Sequence, residues 1–121
     1  MTITGPDFIS LQVRDLDAAA AFYENVVGLS RASFSPPHAV VFDTKPIAFA
    51  VREVIAGVDL DTARPGTGVA LWFHDPEAVT LHSSVVEAGA SIVQELFEGP
   101  FGSTFTFLDT DGYAITVHDR A

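Results

Sequence analysis

Hydrophobic and polar positions along this chain follow two periods in turn, and the succession occurs twice. Residues 7–15, DFISLQVRD, set Ile9, Leu11 and Val13 on one side and Phe8, Ser10 and Gln12 on the other, the two-residue period of a half-buried strand. Asp15 follows as a helix cap. LDAAAAFYENVVG then spaces Ala19, Phe22, Tyr23, Val26 and Val27 along one helical face, with Gly28 as the stop. Three β-like pieces come next, at about 30–35, 39–43 and 46–54, separated by SPPH and TKP. Residues 55–67, IAGVDLDTARPGT, have only weak periodicity and read as a link. GVALWFHD (68–75) then matches FISLQVRD: Val69, Leu71 and Phe73 share a face, and Asp75 falls where Asp15 fell. PEAVTLHSSVVEAG reads as a second helix, opened by Pro76 in its first turn and closed by Gly89. SIVQELFEG, STFTFLD and YAITVHD complete the chain as three further strands.

The expected fold is therefore α+β, built from two tandem β-α-β-β-β modules, the first at about 7–54, the link at 55–67 and the second at about 68–119. At 121 residues the two modules fit within one domain. One helix covers only one face of four strands, so the mixed sheet is expected to curve into a cup with the helices on its outer face. Alternation then points Phe8, Ser10, Gln12, Ala48, Ala50 and Arg52 into the cup from the first module, and Gly68, Ala70, Trp72, His74, Ala114, Thr116 and His118 from the second.

The acidic stretch LDTDGYAITVHD (108–119) has to be assigned before any ion chemistry is entertained. A calcium loop of the EF-hand type needs glycine at its sixth position and glutamate at its twelfth; counting from Asp109 puts Gly112 fourth and Arg120 twelfth. Asp-Gly between two β-rich runs is instead the signature of a tight hairpin turn.

Composition removes several function classes. The net charge of −10, from six Lys+Arg against sixteen Asp+Glu, repels phosphate backbones and admits cations, so nucleic acid is not expected as a partner. The same charge also serves plain solubility. Cysteine is absent, which excludes disulfides, thiolate metal sites and thiol nucleophiles. No apolar run approaches membrane-spanning length and MTITGPDFIS lacks the layout of a secretion signal, so the chain reads as soluble and cytoplasmic, with no membrane partner. Phosphate loops, the G-x-S-x-G elbow and basic-aromatic stripes are likewise missing.

The first strand and helix with Phe22-Tyr23 and Gly28, together with the DTDG turn before the last strand, resemble the vicinal oxygen chelate superfamily over essentially the whole chain. That superfamily includes glyoxalase I, extradiol dioxygenases, fosfomycin-resistance enzymes and bleomycin-resistance proteins. The resemblance implies paired β-α-β-β-β modules, usually in a dimer. In metal-dependent members it implies His, Glu or Gln ligands on the first and last strands of each module. Carried onto this sequence, those positions are Phe8, Ala50, Gly68 and Thr116, which offer no adequate donor set, so no metal and no cofactor is expected. The metal-free, bleomycin-resistance-like branch sequesters a ligand, commonly between two chains, and the expected partner is an aromatic or cationic small molecule bound by a homodimer. The competing readings are a glyoxalase- or dioxygenase-like metalloenzyme with displaced ligands and an assembly module with a filled cup.

The expected ligand-binding residues are Phe8, Ser10, Gln12, Ala50, Arg52, Trp72, His74, Thr116 and His118, with no catalytic residue among them. Trp72, the sole tryptophan, either stacks on a flat or cationic ligand or fills the sheet interior. Arg52 and His118 hold equivalent places near strand ends and either orient a ligand group or lie in solvent at the rim. His74 either faces the ligand or bonds its loop; His82 reads as a partly buried helix residue and His38 as a turn residue. Phe34, Phe42, Phe101 and Phe105 are further candidates for the wall beside Phe8; of the ten phenylalanines only two or three are expected to reach it, the rest being core.

Overall fold

The computed structural model describes residues 2–62 and 64–120. The chain forms two compact units, Met1–Asp59 and Leu60–Ala121. Both are α+β, each with its own sheet.

In the first unit, strand β1 (Phe8–Val13) leads into helix α1 (Leu16–Phe22), followed by β2 (Ala39–Phe42) and β3 (Ala48–Glu53). The sheet order is β1-β3-β2, with β1 parallel and β2 antiparallel to β3. Asp15 is the N-cap of α1, its carboxylate accepting from the Ala18 N–H at 3.1 Å. Asp15→Ala is expected to cost about 1 kcal/mol of unfolding free energy in urea titration. The helix continues as a π-helical turn over Tyr23–Val27 and ends at Gly28, whose φ of 92° is left-handed and open only to a residue without a Cβ penalty. This distorted turn seats Tyr23 in the core, fully buried among Phe42 and Phe49, with ring centroids 6.2 and 5.0 Å away.

The first unit differs from expectation in one element. Residues 30–35 form no strand; the stretch touches the sheet only through a single bridge between Arg31 and Phe42. Ala32 donates to the Val41 carbonyl and Asp43 to that of Ser30, after which the chain leaves the sheet toward Pro36 and Pro37, and Phe34 stays exposed. Proline removes the donors that a continuing ladder needs.

The second unit has the full order: β4 (Leu71–His74), α2 (Ala78–Glu87), β5 (Ile92–Gly99), β6 (Gly102–Leu108) and β7 (Ala114–His118). Its sheet runs β4-β7-β6-β5, with β4 parallel to β7 and the remaining pairs antiparallel. α2 starts at Ala78, later than the sequence suggests, and Pro76 lies in the turn ahead of it, where Asp75 accepts from the Glu77 N–H at 2.8 Å. β4 is also shorter than expected: Val69 is tied into a turn by its bond to the Gly66 carbonyl. Ala78, Leu81 and Val85 of α2 are buried, as are Phe105, Phe107, Ile115 and Val117 of the sheet. The β6–β7 connection is the expected hairpin turn, with Gly112 at φ 93°.

Candidate functional site

In each sheet one set of alternate residues joins the core beside the helix, and the other set forms a second face. In the first unit the register pairs Phe8 with Ala48, Ser10 with Ala50 and Gln12 with Arg52, so five of the expected binding residues share that face. Two of their polar side chains are engaged by backbone: Gln12 Oε1 accepts from the Ile55 N–H at 2.8 Å, and Arg52 Nε donates to the Glu53 carbonyl at 3.0 Å. Ala50 is buried, while Phe8 is half exposed. This face is small, polar at one end and apolar at the other.

The second face of the β4-β7-β6-β5 sheet carries more. One row across it is Trp72, Thr116, Thr106 and Gln94; the next is His74, His118, Thr104 and Phe97. Trp72 is 50% exposed, and Phe101, in the turn between β5 and β6, is 52% exposed. Their rings meet edge-on at 5.7 Å. His118 lies among them, its ring 5.7 Å from Trp72, 5.5 Å from His74 and 6.0 Å from Phe101. Single exposed apolar side chains are ordinary, whereas a contiguous aromatic patch bordered by imidazoles and hydroxyls has the composition of a binding surface.

Backbone contacts fix this cluster. The Arg120 N–H donates to the Phe101 carbonyl at 3.0 Å, and the Ser103 N–H to Asp119 Oδ1 at 2.9 Å, so the segment after β7 clamps the turn that carries Phe101. The Asp75 N–H donates to the His118 carbonyl at 2.9 Å, joining the ends of β4 and β7.

Among the wall candidates, Phe42 and Phe105 are core residues with no exposed surface, the first against Tyr23 and the second beneath His82 at 5.1 Å. The register of β5 adds Phe97, which the sequence pattern does not reveal because two irregularities in the β5–β6 pairing shift the alternation. His82 bonds Glu95, and in the first unit His38 bonds Glu53.

The positions that correspond to metal ligands in the resembling enzymes do not fit a metal. Phe8, Ala50 and Gly68 have no donor atoms in their side chains, and the Thr116 hydroxyl is hydrogen-bonded to that of Thr106 at 2.8 Å. Among the described residues, no group of three or more His, Asp or Glu is arranged to hold a metal ion.

The family model described as the Glyoxalase/Bleomycin resistance protein/Dioxygenase superfamily matches residues 5–117. The chain belongs to that superfamily. Solved structures with a similar fold include TnmS3, an antibiotic-binding protein from Streptomyces sp. CB03234, at 21% identity and a TM-score of 0.75, with 100% of this chain and 99% of that one covered. A glyoxalase-related enzyme from Fulvimarina pelagi is similar at 23% identity and a TM-score of 0.77, covering 98% and 89%. UcmS2 is similar at 22% identity and a TM-score of 0.77, covering 98% and 99%. No curated protein matches the chain in sequence. Superfamily membership sets the fold, and because this fold hosts several activities, function has to be argued from the residues on its faces. Among the described residues, no helix is long and apolar enough to cross a membrane.

Proposed function

We propose that this superfamily member binds a small, flat, partly aromatic molecule reversibly and without a metal, as a sequestering or resistance protein does. The observation that carries the reading is the cluster of Trp72, Phe101, His74 and His118 on the second sheet face, with Trp72 and Phe101 half exposed. Rings set edge-on leave a face free for a planar guest, and stacking adds about 0.5–1.5 kcal/mol beyond area burial. The net charge of −10 favours a neutral or cationic guest over an anionic one. Similarity to an antibiotic-binding protein of almost equal length agrees with this class of activity. The absence of donors at Phe8, Ala50 and Gly68 makes the metal-independent form of the family's chemistry the consistent one. The same reading has two copies of the chain associate, as the resemblance implies.

Trp72 is the only tryptophan, so its fluorescence reports the site directly. Titrating flat bicyclic and tricyclic aromatics, neutral and cationic, in the presence of EDTA is expected to give a saturable change. Trp72→Ala, read by calorimetry, is expected to weaken binding about tenfold. A response that appears only when a divalent ion is added would transfer the chain to the metalloenzymes; no saturable response across the panel would end the binding reading.

A further inference from the structure

We propose that the molecule held on this face presents a hydrogen-bond donor, an aromatic hydroxyl or an N–H, to Nε2 of His118. The inference rests on the binding reading above and adds the functional group that the guest carries.

His118 Nδ1 lies 2.8 Å from the carbonyl oxygen of Arg120. A carbonyl only accepts, so Nδ1 carries the hydrogen and donates it. In the neutral ring this leaves Nε2 as a lone-pair acceptor, the tautomer being set by the bond that the other nitrogen makes. The Arg120 N–H, on the preceding peptide, is bonded to the Phe101 carbonyl, so the segment that carries the acceptor is tied to the turn beside the ring. The contact with a backbone carbonyl therefore sets which ring nitrogen holds the proton.

Nε2 has no hydrogen-bond partner among the described residues, and no side-chain nitrogen or oxygen there is enclosed without one, so this atom is open to a guest. The neighbouring hydroxyls each have a partner: Thr106 and Thr116 share one bond, and Thr104 donates to the Gly102 carbonyl at 2.9 Å. His74, 5.5 Å away, makes no hydrogen bond among the described residues and can present either a donor or an acceptor. His118 cannot, since a neutral ring with Nδ1 occupied offers a lone pair only. The Trp72 and Phe101 rings lie 5.7 and 6.0 Å from the His118 ring, so a flat guest that covers this cluster displaces water from it. A guest with a donor at its edge replaces the lost water; one with only acceptors sets lone pair against lone pair and leaves Nε2 unsatisfied.

Two probes separate these cases: 2-naphthol, and 2-methoxynaphthalene, in which the same donor is capped. Both are titrated by calorimetry at about pH 8, where free imidazole is neutral. 2-Naphthol is expected to bind about tenfold more tightly, even though the methyl ether is the more hydrophobic molecule. His118→Phe is expected to abolish the preference by lowering naphthol affinity, with the fold checked by circular dichroism. Equal binding of the two probes to the native protein overturns this proposal, whatever the variant does, and leaves the binding reading standing. A preference that survives in folded His118→Phe also overturns it. If neither probe binds up to its solubility limit while larger aromatics do, the donor proposal fails alone; if nothing aromatic binds, both fail.

Discussion

Tyr23→Ala is expected to lower the unfolding free energy by about 3–5 kcal/mol, the usual cost of truncating a large ring in a sealed core. The residue has no exposed surface and its ring contacts Phe22, Phe42 and Phe49 at centroid distances of 5.6, 6.2 and 5.0 Å. Phe42 and Phe49 face each other across β2 and β3, so the tyrosine ties the end of the helix to both strands. Removal leaves a cavity lined by rigid rings, which collapse poorly around a void. Tyr23→Phe separates the ring from the hydroxyl and should cost only about 1 kcal/mol. Urea unfolding followed by circular dichroism gives both values. A loss below about 1 kcal/mol for the alanine variant would mean that the first unit's core does not depend on this ring.

Asp109→Ala is expected to be nearly as damaging, by about 2–4 kcal/mol, for a different reason. Its carboxylate is buried and Oδ1 accepts from two backbone N–H groups, Asp111 at 2.9 Å and Tyr113 at 3.0 Å. The turn is closed further by the Asp109 N–H donating to the Tyr113 carbonyl at 2.9 Å. Alanine leaves two backbone donors without that acceptor in a buried turn. Asp109→Asn keeps an acceptor oxygen and should recover at least half of the loss. Because the turn launches β7, the alanine variant is also expected to weaken aromatic binding at His118. The same urea series, paired with one naphthol titration, tests both effects. Equal losses for the two substitutions would show that charge rather than hydrogen-bond acceptance holds the turn.

Much of this fold can be read in the sequence because the signals are local. Asp15 as a cap, Gly28 as a stop, the Asp-Gly hairpin and the alternation in FISLQVRD and YAITVHD each act within a few residues. The first expected strand of the loop region was not realised, since SRASFS alternates acceptably but is followed by paired prolines that take the chain off the sheet after one bridge. The shorter β4 has a similar origin: a turn bond holds Val69 before the ladder begins. For the candidate site, alternation placed Trp72, His74, Thr116 and His118 on a common face, but not the aromatic cluster itself. Phe101 reaches it from a turn clamped by Arg120, and Phe97 comes to the same sheet face through shifted pairing; neither depends on spacing along one strand. The burial of Phe42 and Phe105 was likewise hidden, because ten phenylalanines carry no mark of which face each will join.

On β7, Ile115 and Val117 are sealed in the core while Thr116 and His118, their immediate neighbours, take no part in it. Folding and the proposed recognition thus draw on interleaved positions of the same strand and do not compete for any one of them. Under the proposed binding role, side chains at 72, 74, 101 and 118 can be exchanged to suit another guest without replacing a buried core residue.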